Sequence, residues 1–332
     1  MRFKTHVLQG ESGLDSERSP ACRIGNEMEL LSKMIPVTMI AFVVSSMLAV
    51  GLSLTVSQIL LPLRNFKLVS LALLANFVLM PLAAYAITRS LQLDEPLAVA
   101  LLILGTAAGA PFLPLLARIS KCNIAFAVGL MVLLMVVSVG YMPLVLPFLL
   151  KGVSVDPFKI ARSLVFLMML PLAIGLLVKA RFAVAAARLQ PWLNRVSTLS
   201  LALLMVLLLV TNLQNLLNLY GTRGVLASVL FIGAGSGVGW ILGGPGHGTR
   251  GVLALGTAQR NIAAALVVGG QNFRDPRVVV MVVVVAIVGL LLLIPLARFL
   301  ARKLHTVSGF NNAGATLVSG GQSTAHSAER KL

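Results

Sequence analysis

Apolar runs of roughly twenty residues follow one another from about residue 34 to residue 304, and each is long enough to cross the ~30 Å hydrocarbon core of a bilayer as an α-helix. Charged residues make up only 11% of the chain, against about 25% in soluble domains, so there is too little polar surface to cover a water-exposed globule. The expectation is an all-α polytopic membrane protein of about nine transmembrane helices. The runs lie at roughly 34–58, 67–89, 95–118, 123–150, 160–181, 194–219, 223–244, 250–271 and 276–303. Connections are short, so the spans should form one bundle. The longer stretches 151–159 and 181–195 are expected to hold interfacial turns, where Trp192 suits the headgroup zone.

A net charge of +17 invites a nucleic-acid reading, but its distribution excludes one. Basic residues sit singly or in small groups at the ends of apolar runs, as in Arg64 and Lys67, Arg118 and Lys121, Lys179 and Arg181. That is the sidedness pattern of a membrane protein rather than a basic face on a folded domain. About twelve cations flank one side of the bundle and about seven the other, leaving out the N-terminal tail. The excess predicts a multi-pass protein of the cell (inner or plasma) membrane with its N-terminus outside and its C-terminus cytoplasmic. The expected partners are the lipid bilayer and a small anionic solute, not nucleic acid. Cys22 and Cys122 allow no disulfide framework, and no CxxC or Cys/His cluster suggests a metal site.

Residues 1–33 are polar, of mixed charge, and lack the apolar stretch of a signal peptide. They read as a disordered extension, in which Met28 and Met34 (just beyond it) offer alternative starts. The transporter domain is expected over 34–304. Residues 305–332, rich in Ser, Gly, Ala and Asn, read as an unstructured tail.

Two spans differ from the rest. Residues 104–114 read LGTAAGAPFLP, and residues 255–262 read LGTAQRNI with three consecutive polar side chains at mid-depth. Both begin LGTA, and the third and eighth spans run in opposite directions. Inverted repeats whose corresponding helices break near the midplane are characteristic of secondary carriers, and unwound backbone there must be buried in protein or line a cavity. Gly105, Gly109, Pro111, Pro114 and Gly256 are the candidate broken-helix positions.

Between residues 30 and 328 the acidic residues are Asp94, Glu95, Asp156 and Asp275, all at span boundaries or in loops. Carboxylate-based proton relays and cation sites therefore have no material at mid-depth. Arg260 stands about ten residues into the eighth span, where a charge costs roughly 2.5–3.5 kcal/mol on insertion scales. Two readings stay open and can coexist. Arg260, flanked by Gln259 and Asn261, binds an anionic substrate or substitutes for a coupling cation; alternatively it caps carbonyls freed by the break. Asn76 either faces a cavity or bridges helices. Thr106 and Thr257 are matched in position, though such threonines more often bond back to their own helix. Gln271 and Asn272 sit at a span exit. Gly233, Gly235, Gly237 and Gly239 read as close helix packing, and residues 243–249 as a turn rather than a phosphate loop.

The segments GLSL (51–54), MPL (80–82), GTAAGAPFLPLLARISKCNIAFAVGLMVLL (105–134), PLVLP (143–147) and GTAQRN (256–261) resemble, in order and spacing, the bile acid:sodium symporter family, in a bacterial-type form. The resemblance covers roughly 34–303. It implies a core domain, in which two broken helices cross beside sodium sites, next to a panel domain; vertebrate members have nine spans and an outside N-terminus. On that scheme the third, fourth, seventh and eighth spans form the core, with the second close by. The sodium-ligand pattern departs. The family's Ser/Thr-Asn pair falls on Leu113 and Pro114, its next hydroxyl ligands on Ala127 and Met131, its glutamate on Gly256 and its glutamine on Arg260. Asn261 is kept, and an earlier glutamine becomes Asn76. With these ligands absent, sodium is not expected at the usual sites and no other cofactor is implied. The expected function is secondary transport of a small organic anion (bile-acid-like, or another carboxylate or sulfated solute) by alternating access. Alternatives are a sodium-coupled symporter with displaced sites, an oxyanion efflux carrier of the arsenite type, or a transport-incompetent membrane sensor. No nucleophile–base pair or metal cluster suggests an enzyme.

Overall fold

A computed structural model describes residues 20–55, 57–58, 65–150, 156–211 and 223–328, and every element among them is helical. In chain order these are α1 (Pro20–Ser53), α2 (Phe66–Leu74), α3 (Met80–Ser90), α4 (Glu95–Thr106), α5 (Leu113–Ile119), α6 (Ile124–Leu149), α7 (Pro157–Leu164), α8 (Leu170–Arg181), α9 (Ala183–Thr211), α10 (Gly224–Leu242), α11 (His247–Ala258), α12 (Ile262–Asn272) and α13 (Pro276–Ala328). Two π-turns, Ala75–Leu79 and Val165–Met169, join α2 to α3 and α7 to α8. Eight of the resulting spans are long and apolar enough to cross a bilayer. The third expected crossing is split into α4 and α5, and neither half is long enough alone.

Helices extend further than composition suggested. Residues 20–33 and 305–328, expected to be unstructured, have helical backbone; once a span is fixed, each added residue brings one more hydrogen bond without a new nucleation cost. Residues 1–19, the rest of the expected extension, lie outside the described residues, as do 329–332. The turn expected within 181–195 shrinks to Phe182, because α9 begins at Ala183. Four alanines among the first five residues of α9 favour helix where the apolar pattern alone marks none. Residues 212–219, the end of the sixth expected span, and most of 151–159 fall outside the described residues.

The packing falls into two groups. Helices α1, α8 and α9 pack mainly on one another, and α1 meets α8 at two glycines. A Cβ on Gly51 would lie 2.4 Å from the Leu172 carbonyl oxygen, and one on Gly175 would lie 2.7 Å from that of Leu48. Small residues let membrane helices approach this closely. The second group is α3–α6 with α10–α13. It includes the last span, α13, which the resemblance did not place in the core.

Within this second group, Gly235 and Gly239 of α10 abut α11: their Cβ atoms would come within 2.7 Å of Ala258 Cα and 2.2 Å of the Leu253 oxygen. Gly233 and Gly237 face open space, so the close-packing expectation holds for one pair and fails for the other. The α11–α12 span is the centre of the assembly. Of its apolar window 89% is buried, against 22% for α9.

Each π-turn ends just before a proline, Pro81 or Pro171. A proline has no N–H to give to the carbonyl four residues back. In the first case that carbonyl belongs to Phe77, and the Tyr141 hydroxyl of α6 donates to it instead. The Phe77 and Tyr141 rings also pack, with centroids 4.8 Å apart. The wide turn holds the buried Asn76 and points it at the centre of the bundle.

Candidate functional site

The helix of α4 stops at Thr106 and that of α11 at Ala258, and the two unwound segments meet. Unpaired backbone at this depth is costly, and here it is satisfied across the crossing. The Asn261 amide donates to the Ala107 carbonyl at 3.0 Å. Its side-chain Nδ2 donates to the Gly109 carbonyl at 3.1 Å, while its Oδ1 accepts from the Ala264 amide and caps α12. Ser138 of α6 closes the rest: its Oγ accepts from the Ala108 amide at 2.9 Å and donates to the Ala108 carbonyl at 3.1 Å. Ser138 and Tyr141 escaped the sequence reading. The only signal was a pair of hydroxyls, three residues apart, in an otherwise apolar span. Changing Ser138 to Ala should orphan both Ala108 groups and cost about 1–3 kcal/mol, read as a lower unfolding midpoint of the purified protein with Thr106→Ala as the milder comparison.

Gly109 sits at φ +81, and a Cβ there would lie 2.2 Å from the Met135 backbone nitrogen. Only glycine fits both the left-handed backbone and the contact with α6. Gly105 and Gly256 serve packing: Cβ atoms on them would come within 2.9 Å of Ala84 Cβ and Leu113 Cδ2. Pro111 lines the cavity described below, and Pro114 stands in the first turn of α5, where its missing N–H has no helical partner to lose.

Arg260 is 3% exposed and spans the crossing. Its Nε donates to the Leu104 carbonyl at 2.8 Å, and Nη2 to the Gly105 carbonyl at 2.7 Å. Nη1 donates to Asn76 Oδ1 at 2.8 Å and to the Thr257 carbonyl at 3.2 Å. Four of the five guanidinium N–H donors are thus used. Leu104 and Gly105 are in the last turn of α4, where carbonyls lack helical partners and the helix dipole is negative. Among the described residues no carboxylate approaches it. The Arg277–Asp275 pair, 2.8 Å, lies at the bundle rim, where the Arg277 hydrogen bond holds the Asp275 carboxyl below its ordinary pKa.

The candidate residues therefore separate. Arg260, Asn261, Thr257 and Asn76 form one network, in which Asn76 also donates to Thr257 Oγ1 at 3.3 Å. Thr106 is beside it but bonds back to Leu102 and Ile103 of its own helix. Gln259 stands apart: its Oε1 is buried with no hydrogen-bond partner among the described residues. Gln271 accepts from Ser163 near the bundle end.

Gln259 and Arg260 reach the wall of a cavity of about 350 Å³ between the two helix groups. Phe42, Ser46 and Val50 of α1 and Asn194, Ser197 and Thr198 of α9 line one side; Ala110, Pro111, Phe112 and the 258–263 segment line the other, with α13 behind. Mostly apolar walls with a few convergent polar groups are the usual make-up of a small-molecule site.

The sequence model of the sodium bile acid symporter family matches residues 39–219, which includes the first broken helix and stops before the second. Over 138 residues, 41% of this chain, the sequence is 32% identical to a protein of Oryza sativa subsp. japonica described as a probable sodium/metabolite cotransporter, chloroplastic. The matched stretch spans 33% of that relative's length, so the chain covers about a third of it. With more than half of its length matched and the crossing of two broken helices in place, the chain belongs to the sodium bile acid symporter family.

Proposed function

We propose that this protein is a secondary transporter that carries a small organic anion through the cavity between the α1/α8/α9 group and the crossing, by alternating access, without sodium at the crossing. The observation that carries the proposal is the oxygen cage around the Arg260 guanidinium. Four oxygens at 2.7–3.2 Å, from Leu104, Gly105, Thr257 and Asn76, surround a covalently attached cation. A free sodium ion would have to displace that charge or accept its repulsion. The two readings of Arg260 merge: most of its donors hold the crossing, while its charge stands at the cavity wall.

The remaining guanidinium N–H and the field of the buried cation favour a carboxylate or sulfate. At about 350 Å³ the cavity is at the low end of ligand pockets, which favours a compact acid over a sterol. Gln259 brings an amide, which both donates and accepts, to the cavity lining, so a hydroxy acid fits better than a simple fatty acid. On this reading Gln259→Leu raises KM for a hydroxylated acid such as pantoate about tenfold, the scale of one hydrogen bond, and leaves KM for its deoxy analogue unchanged.

Sodium coupling is the second reading, favoured by the description of the rice relative. Uptake of labelled pantoate, keto acids, taurocholate and a sulfate ester into proteoliposomes, with sodium replaced by choline, separates the two. Rates within twofold support the proposal, and strict sodium dependence overturns it. The arsenite type of efflux has no support at Cys122, which is packed against Gly251 rather than in the cavity.

A further inference from the structure

The charges of the bundle are divided between its two ends. Asp94, Glu95, Asp156 and Asp275 all lie at one end, where α3, α6 and α12 finish. That placement is tied down by the Arg223 bond to the Leu91 carbonyl and the Ser163–Gln271 bond. At the opposite end, among the described residues from 31 to 302, lysines and arginines occur with no aspartate or glutamate at all.

That basic end contains an open groove of about 840 Å³ at the α8–α9 corner, lined by Arg181, Phe182, Val184, Arg188, Leu189 and Trp192. Arg181 and Arg188 are exposed and have no hydrogen-bond or ion-pair partner among the described residues. Phe182 and Trp192 are each 63% exposed. The Arg195 guanidinium stacks 5.1 Å from the Trp192 ring, which places a third cation one turn further along. Helix α9, with 29 residues at ~1.5 Å each, is about 13 Å longer than the ~30 Å hydrocarbon core. Its first turns therefore stand in the headgroup zone, where aromatic rings and arginines settle.

We propose that the α8–α9 corner is a binding site for an anionic phospholipid, its phosphate held between Arg181 and Arg188 and its acyl chain lying over Phe182, Leu189 and Trp192. Charge complementarity selects the occupant: two guanidinium groups unpaired among the described residues, an end with no carboxylate among described residues 31–302, and an apolar strip match a negatively charged headgroup with its chain. The site is separate from the crossing and does not depend on which solute is carried.

The test is a titration of the full chain in detergent, followed by native mass spectrometry, with phosphatidylglycerol, phosphatidylcholine and glycerol 1-phosphate as probes. Phosphatidylglycerol is expected to bind at least tenfold more tightly than phosphatidylcholine, and glycerol 1-phosphate far more weakly than either. The Arg181→Gln/Arg188→Gln variant should lose roughly thirtyfold in phosphatidylglycerol affinity, the scale of two surface arginines facing an anionic lipid. Arg274→Gln, at the acidic end, should lose nothing. Equal affinity for the two lipids, an unchanged double variant, or binding of free glycerol 1-phosphate as tight as that of the lipid would each overturn the proposal. Because the two arginines are exposed and hold no hydrogen bond or ion pair among the described residues, the double variant should elute and melt as the parent does; a melting midpoint that fell without added lipid would assign them to the fold and also overturn it.

Discussion

Arg260→Ala is expected to lower stability by about 3–5 kcal/mol, the scale of several buried oxygens left without a donor, and to abolish transport. Deletion leaves Leu104 O, Gly105 O, Thr257 O and Asn76 Oδ1 without their donor, and each buried orphan costs about 1–3 kcal/mol. The individual costs do not add fully, because Asn76 retains bonds through its Nδ2 to Ala72 and Thr257. Removing the cation also leaves the negative end of α4 uncompensated. The loss should appear as a lower unfolding midpoint and a reduced monodisperse fraction on size-exclusion chromatography. Arg260→Lys keeps the charge but has three donors on one nitrogen instead of five on a planar fork, so it should be intermediate in stability.

The same variant separates a built-in cation from a plain structural clamp. If the guanidinium stands where a mobile ion would otherwise sit, Arg260→Ala exposes a cage of four oxygens that suits a small cation. Sodium, and methylguanidinium more strongly because it restores the N–H geometry, should then raise the midpoint of Arg260→Ala but not of the parent. A variant equally insensitive to sodium, choline and methylguanidinium would reduce Arg260 to a clamp. Loss of midpoint alone does not discriminate.

How much of this was legible in the sequence follows from the range over which each signal acts. Apolar length is local, so the spans could be read to within a few residues wherever the end was marked by charge. The start of α9 could not, because Ala183 to Ala187 are helix-favouring and carry no boundary mark. The breaks were legible because glycine and proline at mid-span have no role in a plain anchor, and Arg260 because the other charges of the spans lie near their ends. Its partners were not. Asn76 is 184 residues away, and the carbonyls of Leu104 and Gly105 belong to residue types that give no hint of acting as acceptors. Backbone groups are invisible to a reading based on side chains, so the choice between substrate ligand and carbonyl cap could not be made before the crossing was seen. Ser138 was missed for the same reason: its partner is the backbone of Ala108.

Gly109→Ala should be at least as damaging as Arg260→Ala, through a different physical route. The added methyl would meet the Met135 nitrogen at 2.2 Å, Met135 Cα at 2.6 Å and the Met131 carbonyl oxygen at 2.7 Å. All three are backbone atoms of one α-helix, so no rotamer change relieves them; α6 would have to move as a body. The residue is also held at φ +81, where an alanine costs roughly 1–2 kcal/mol before any contact is counted. Moving α6 would then break the Ser138 bonds to Ala108 and slacken the Asn261 bond to the Gly109 carbonyl, so the first broken helix would lose its anchors on two sides. The expected result is failure to accumulate folded protein, measured as the fluorescent monodisperse peak of a tagged chain. Gly237→Ala supplies the matched control: it too replaces a glycine in the membrane, but the new methyl meets nothing within 4 Å, and alanine in a helix is favoured over glycine by about 1 kcal/mol. That variant should express as well as the parent or slightly better. Equal yields from Gly109→Ala and Gly237→Ala would mean that the crossing tolerates a side chain at its tightest point, and the geometry on which the proposed site rests would be wrong.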